Sequence, residues 1–401
     1  MNDELLTPHE VHERLTRVAS DVTVTVAVDA AGGDNAPGEV VKGALAVAGE
    51  RLRVLLVGPQ ERLRSLPDVG LNPFVEVVHA PDLIDSSDEP TKAVRGKPDS
   101  SLVMAARLVA EGKADACVSA GNTGAVVVAG LLHVRRMKGV LRPAICQLMP
   151  AVPLPVVLLD VGANAEVRPE HLRQFAIMGQ AFASEVVGLV DPQVGLLSIG
   201  EEPSKGTPVV IEAHRVLSED PAVNFYGNVE GRDIMARVVD VIVTDGFSGN
   251  IALKVTEGTA RVVLREIRNA VTGSWRAKLG ALIMAPDLRR IRSALDPEDY
   301  GGSYLLGLNA PVVIAHGNSR ARGIGNAVRT ASRAVTSGVL HTIAERLAAA
   351  EAGTGVDVAS TRPGADEGSG EPGEQAAGVD APATAVAGDA GRLSEGADEA
   401  S

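Results

Sequence analysis

Residues 114–130 read ADACVSAGNTGAVVVAG: an apolar run, then Ser-Ala-Gly-Asn-Thr-Gly, then a second apolar run. The first run, closed by small polar residues, predicts a strand, and the second predicts a helix that starts at once. Glycine lets a backbone approach a ligand closely, and a helix start offers unpaired N–H groups and a positive dipole end. Gly121, Asn122, Thr123 and Gly124 are therefore a candidate phosphate cradle. A plain strand-to-helix turn uses the same residues, so the rest of the chain must decide.

The alternation repeats along the body of the chain. Short runs rich in Val, Ile and Leu (VTVTVAV, VLLVG, VEVVHA, DACVSA, VVLLD, VGLLSI, VNFYG, VIVTD and VVIAHG) are mostly separated by segments of helical pattern, such as residues 98–111, 169–187 and 250–270. This predicts an α/β fold with a largely parallel sheet. Several runs are apolar throughout, as when helices cover both faces of the sheet. No internal repeat and no internal linker is visible.

In open α/β sheets, ligands bind beyond the carboxyl ends of the strands. Seven loops follow such runs, each pairing glycine with polar residues. They carry Asp29, Gly32, Gly33 and Asp34; residues 119–124; Asn164 after Asp160; Glu201 and Lys205; Asn228; Asp245 and Asn250; and His316. The expectation is that they meet on one rim. AGGDNAPG and GIGNAV both miss the GxGxxG fingerprint, and SKGT is not the order of a P-loop. GFSGN is not the GxSxG nucleophile elbow, so neither a nucleotide fold nor an activated serine is indicated.

Composition narrows the function classes. The 401 residues are 45% hydrophobic and 22% charged, enough to bury a large core, while 2% aromatic content leaves few stacking platforms for nucleic acid. Two cysteines, Cys117 and Cys146, fit a reducing cytoplasm and read as small buried hydrophobes. No apolar run is long enough for a membrane span and no signal peptide is legible, which predicts a cytoplasmic protein. Of the net charge of −13, residues 351–401 carry −9, leaving −4 for the rest. That Gly-, Ala- and Pro-rich acidic tail, from residue 350 on, is predicted to be disordered. Residues 1–21 form a polar extension in which Thr7, Pro8 and Glu10 read as a capping box. His9 and His12 there miss the HExxH spacing by one residue and read as a solvated helix face, and the other histidines are scattered. No metal or cofactor is predicted.

Taken together, VAVDAAGGDNAPGEVVKGAL, CVSAGNTGA, LLDVGAN, GLLSIGEEPSKGT, FYGNVEGRDI, DVIVTDGFSGNIALKVTEG and GLNAPVVIAHGNS resemble, in order and rough spacing, the bacterial acyl-acyl-carrier-protein:phosphate acyltransferase family (PlsX). The resemblance covers residues 22–347, within a domain placed at 22–349. It implies a Rossmann-like three-layer α/β/α fold like that of isopropylmalate dehydrogenases and phosphotransacetylases, acting as a homodimer. It also implies transfer of a long fatty acyl group from acyl carrier protein to inorganic phosphate. The acyl phosphate formed serves phospholipid synthesis, where a membrane glycerol-3-phosphate acyltransferase would use it. Ala30 and Thr207 depart from the family pattern without removing an ionisable group.

The residues suit that chemistry. Phosphate is already an anionic nucleophile, and a thiolate of pKa ~8.5 leaves without strong acid help, so no covalent acyl-enzyme is needed. Residues 121–124 are then expected to cradle phosphate, and Lys205, the one lysine in these loops, to neutralise phosphate or the oxyanion. Asp29, Asp34 and Asp245 would orient Lys205 or the amides; Asn164, Asn228 and Asn250 would donate hydrogen bonds; His316 would supply a proton to the thiolate. Two alternatives stand beside this reading: a phosphotransacylase using acyl-coenzyme A, and an acyl-phosphate-binding scaffold. The full set of polar loops argues against the scaffold.

Residues 261–292 hold eight basic and two acidic residues. Trp275, Leu279, Leu282, Ile283 and Met284 lie among Arg276, Lys278, Arg289 and Arg290. A basic, apolar helical hairpin suits an anionic membrane surface or an acidic carrier protein. A dimer interface with an arginine rim is the other reading.

Overall fold

The computed structural model describes residues 22–151, 154–288 and 297–354. The extension with His9 and His12, the tail from residue 355, and Arg289 and Arg290 lie outside the described residues.

Eleven strands make one sheet: β1 (Val24–Asp29), β2 (Leu52–Gly58), β3 (Val75–His79), β4 (Ala116–Ser119), β5 (Ala144–Met149), β6 (Val156–Leu159), β7 (Val194–Leu197), β8 (Phe225–Val229), β9 (Val241–Val243), β10 (Ser303–Leu306) and β11 (Val312–Ile314). The helices are α1 (Gly38–Val47), α2 (Gln60–Arg64), α3 (Pro90–Gly96), α4 (Ser101–Ala110), α5 (Thr123–Ala129), α6 (Pro169–Phe182), α7 (Pro208–Glu219), α8 (Asp233–Ala236), α9 (Gly246–Thr272), α10 (Trp275–Ile283), α11 (Ala321–Thr336) and α12 (Val339–Thr354). Every residue of β4, β5, β6 and β9 is buried, which explains why those strands are apolar on both sides. One layer of the core packs Phe175, Phe182 and Tyr304 with the valines of β1 and β7; the other packs α4 and α5 beneath Ala27, Cys117 and Leu158. Both cysteines are free and buried, as expected of small hydrophobes, and burial pushes both thiols far above the ordinary value.

The strand order is β3-β2-β1-β4-β11-β10-β5-β6-β9-β7-β8. Within the run from β3 to β11, and again from β6 to β8, every pairing is parallel. Between those runs, β11–β10, β10–β5 and β5–β6 are all antiparallel. Three reversals leave the second run pointing opposite to the first. The carboxyl ends of β6, β9, β7 and β8 therefore all face the other edge of the sheet from those of β1, β4 and β11. The two strands that impose this, AICQLM and SYLL, are absent from the nine runs legible in the sequence. The single rim expected from seven loops is accordingly divided.

Candidate active site

At the first edge, Asp29 ends β1 with 3% exposure. Its carboxylate accepts from the Ser119 hydroxyl at 2.7 Å, and the Ser119 Oγ accepts from Gly121 N at 3.0 Å. Burial raises the Asp29 pKa, against the hydrogen bonds from Ser101, Ser119 and two backbone amides. Gly32 packs so tightly on Asp29 that a Cβ would also lie 3.0 Å from Gly121 N. Gly33, at φ +101°, turns the chain so that Asp34 N donates to Gly317 O at 2.8 Å. Three loops, after β1, β4 and β11, are thereby fastened into one unit.

Within that unit the expected cradle divides its work. Asn122 caps α5, accepting from Ala125 N at 3.1 Å while its amide donates to the Ser86 and Asp88 carbonyls. Gly124 is required for packing, since a Cβ there would lie 2.7 Å from the Pro90 ring. Of residues 121–124, only Thr123 opens into the adjacent cavity.

A second group forms around Asp160, fully buried after β6. It accepts from Ile145, Gly162, Ala163 and Asn164 amides at 2.7–3.1 Å and from Asn164 Nδ2 at 2.9 Å. Burial raises its pKa while these donors oppose the rise. Gly246 N donates to Asn164 O at 2.7 Å, and Asp245 caps α9 by accepting from Ser248 N at 2.8 Å. Asn164 and Asp245 thus seat the start of α9, whose next turns carry Asn250, Lys254, Glu257 and Arg261 along one face.

Between the two groups lies a cavity of about 740 Å³. Its walls include Thr123, Gln147 of β5, Val161, Ser303 of β10, residues 316–319, and that face of α9; Arg320 and Arg322 line it as well. Glu257 Oε2 is 3.0 Å from Lys254 Nζ and 3.8 Å from His316 Nε2. Burial works to raise the Glu257 pKa, but His316 and Lys254 outweigh it and hold the carboxyl below its ordinary value. His316 Nδ1 accepts from Asn318 N at 3.3 Å, which assigns the ring hydrogen to Nε2. In that tautomer the Nε2–H faces Glu257 Oε2.

The third group stands apart. Glu201 and Lys205 follow β7, Asn228 lies within β8, and none of the three lines this cavity. Lys205 is exposed, and its carbonyl accepts from Ser198 Oγ at 3.0 Å. Asn228 is buried between the Glu202 carbonyl and His214 Nδ1, and Glu201 pairs with Arg232 at 3.1 Å. Asn228 and Glu201 thus find their partners within this group. Lys254, Glu257, Arg261, Arg320 and Arg322 were missed among the candidates. The available signal was the i, i+4, i+7 spacing from Asn250 through Lys254 to Glu257 on a helix that leaves a polar loop.

Beyond the cavity, α9 runs into α10, which carries Trp275 at 72% exposure with Leu282 and Ile283 at 72% and 75%. The Arg276 guanidinium lies 5.5 Å from the centre of the Trp275 ring system. No helix among the described residues is long and apolar enough to cross a membrane.

Known proteins match this architecture. The family model described as "Fatty acid synthesis protein" matches residues 24–342. A phosphate acyltransferase of Geobacillus thermodenitrificans is 44% identical over 327 residues, covering 81% of this chain and 99% of its own length. One of Bacillus subtilis is 42% identical over 325 residues, covering 80% and 97%. Among solved structures, a phosphotransacetylase from Streptococcus pyogenes aligns with TM-score 0.57 and 19% identity, covering 83% of this chain and all of that one. The EutD phosphotransacetylase from Staphylococcus aureus gives 0.54 and 17%, covering 82% and all of that chain. At those identities the structural likeness concerns the fold, a mostly parallel α/β sheet flanked by helices. The sequence matches go further, and by them this chain belongs to the fatty acid synthesis protein family whose curated members are the phosphate acyltransferases.

Proposed function

We propose that the cavity between the loops after β4 and β11 and the face of α9 transfers a long-chain acyl group from acyl carrier protein to inorganic phosphate. The observation that carries this reading is the grouping of Lys254, Arg261, Arg320 and Arg322 around a cavity that is also lined by Thr123 and the residue 316–319 loop. In this reading Lys254 takes the part that the sequence suggested for Lys205. Thr123, Asn250 and the Nε2–H of His316 supply neutral donors. Gly32, Gly33, Asp34, Gly121, Asn122 and Gly124 fix the loops, and Asp29 and Asp245 position them from behind.

The reaction needs a nucleophile held within ~3–3.5 Å of the thioester carbonyl and donors for the oxyanion that develops. A phosphate oxygen attacks the carbonyl carbon, the C–S bond breaks, and the thiolate leaves. The raised thiol pKa values of Cys117 and Cys146 support direct attack, because neither provides a thiolate for an acyl-enzyme.

Partners follow from the surface. The exposed basic residues Arg265, Arg268, Arg276 and Lys278 suit the acidic carrier protein. The exposed Phe247, Ile251 and Val255 share one stripe of α9 and suit a second copy of the chain. Trp275, Leu279, Leu282, Ile283 and Met284 suit an anionic membrane, where a lipid-soluble acyl phosphate would pass to a membrane acyltransferase. The test is phosphate-dependent thiol release from palmitoyl-acyl carrier protein, with palmitoyl-coenzyme A in parallel. Turnover that requires phosphate and favours the carrier protein is expected; equal use of coenzyme A would replace the donor, and no turnover would remove the catalytic reading. In flotation with anionic liposomes, W275A/L279A is expected to stay with the soluble fraction, and flotation unchanged by those substitutions would remove the membrane contact.

A further inference from the structure

An anion-binding cavity gains nothing in affinity from a carboxylate, yet Glu257 projects into this one. Its side chain is 12% exposed, and its Oε2 lies 3.0 Å from Lys254 Nζ and 3.8 Å from His316 Nε2, two groups that themselves line the cavity. The other carboxylate in the wall among the described residues, Glu298, is engaged with Arg322 at 3.5 Å and with the Arg320 amide at 3.1 Å. Glu257 is therefore the carboxylate shared between two cavity donors. Held in its ionised form, it accepts hydrogen bonds and donates none.

This asymmetry distinguishes oxyanions of the same shape. Phosphate and arsenate carry at least one P–OH or As–OH hydrogen near neutral pH, which a carboxylate can accept. Sulfate carries none, so its oxygen would face the Glu257 oxygen with no hydrogen between them, at a cost in repulsion and desolvation. We infer that Glu257 is the residue that selects protonated tetrahedral oxyanions, phosphate and arsenate, and rejects sulfate. The inference rests on the proposed reading of the cavity as the phosphate site. It adds a selectivity which that reading does not require.

The experiment measures sulfate inhibition of phosphate-dependent thiol release in the full-length chain and in Glu257→Gln and Glu257→Asp, with direct titration of sulfate into each protein as a readout independent of turnover. Sulfate at tenfold excess over phosphate is expected to leave the parent protein almost uninhibited. In Glu257→Gln, whose amide can donate, the sulfate inhibition constant is expected to fall by about tenfold or more, the order of one hydrogen bond gained for one repulsion lost. Glu257→Asp, which keeps the charge, should retain rejection. A merely structural Glu257 would lower stability or turnover without changing the ratio of phosphate to sulfate binding. Equal sulfate sensitivity in all three proteins overturns the inference while leaving phosphate-dependent turnover intact. Loss of phosphate dependence in the parent protein overturns the reading beneath it. If Glu257→Gln fails to fold, the parent protein alone decides: sulfate binding as tight as phosphate binding overturns the inference.

Discussion

The loops after β1 and after β7 are built from the same residue types, glycine beside a carboxylate, yet their carboxylates meet different surroundings. Asp29 is 3% exposed and ties its loop to those after β4 and β11, whereas the Glu201 side chain is 68% exposed and spends its charge on Arg232. The same contrast holds for the lysines: Lys254 lines the cavity beside Glu257 and His316, and Lys205 does not. What separates the two lysines is strand order within the reversed half of the sheet: β6 and β9 lie nearest β5 and bring Val161 and α9 to the cavity, whereas β7 and β8 lie at the far end. Two short antiparallel strands, β5 and β10, turn the second half of the sheet over, so equivalent strand ends face opposite edges. Residue type alone does not make a site; it must also be delivered by a strand that lies beside the cavity.

The sharpest way to break this contrast is to remove each lysine. Lys254→Met is expected to lower kcat/KM for phosphate by about 100-fold or more, the usual loss for a donor to developing charge, while Lys205→Met stays within about threefold of the parent protein. Steady-state kinetics at saturating acyl donor decide it; the reverse order would move the site to the β7 edge.

A second comparison sets two buried polar residues against each other. Asp29→Ala leaves the Ser119 hydroxyl without its acceptor and is expected to cost about 1–3 kcal/mol of stability together with a large loss of turnover. Asn228→Ala strands His214 and the Glu202 carbonyl and should cost a similar stability, with turnover per folded molecule unchanged. Denaturant melts paired with activity assays separate the two. Glycines extend the comparison: Gly32→Ala must displace Asp29 and is expected to cost about 1–3 kcal/mol, whereas Gly231→Ala meets nothing within 4 Å and should be near neutral.

The smallest expected effect is a pH dependence. The folded-state pKa of Glu257 lies below its ordinary value, so the stability it contributes is present above the unfolded value of about 4.3 and is lost as pH falls through the lower folded value. The stability difference between the parent protein and Glu257→Gln should therefore persist down to about pH 5 and shrink below about pH 4. A difference that vanished near neutrality would mean that His316 and Lys254 do not hold that carboxylate.

Much of this fold could be read from residue order, and the reasons are local. β1, β4 and β6 are valine-, leucine- and alanine-rich runs buried on both faces, closed by Asp29, Ser119 and Asp160, so their ends were plain. β5 carries Gln147 and Cys146 in place of β-branched residues, and β10, SYLL, has no β-branched residue, so neither stood out from its surroundings. Missing those two strands hid the reversal; the separation of Lys205 from the cavity follows from the strand order, which places β7 and β8 at the far end and which residue order does not show. The Asp245 and Asn122 positions were legible as loop polarity, but residue type leaves cap and ligand donor level, because both draw on the same residue types. Lys254, Glu257 and Arg261 lay within a segment recognised as helical; which face of it lines the cavity depends on how Gly246 and Gly249 seat α9 against Asn164 and Asp160.

Locating the bound oxyanion tests the central claim most directly. Crystals of this protein soaked in arsenate, a protonated analogue with its own anomalous signal, would show where the substrate anion rests. The account predicts a peak within hydrogen-bonding distance of Lys254 and His316, beside Thr123. A peak at the residue 200–206 loop against Lys205, with the cavity left without one, would contradict it.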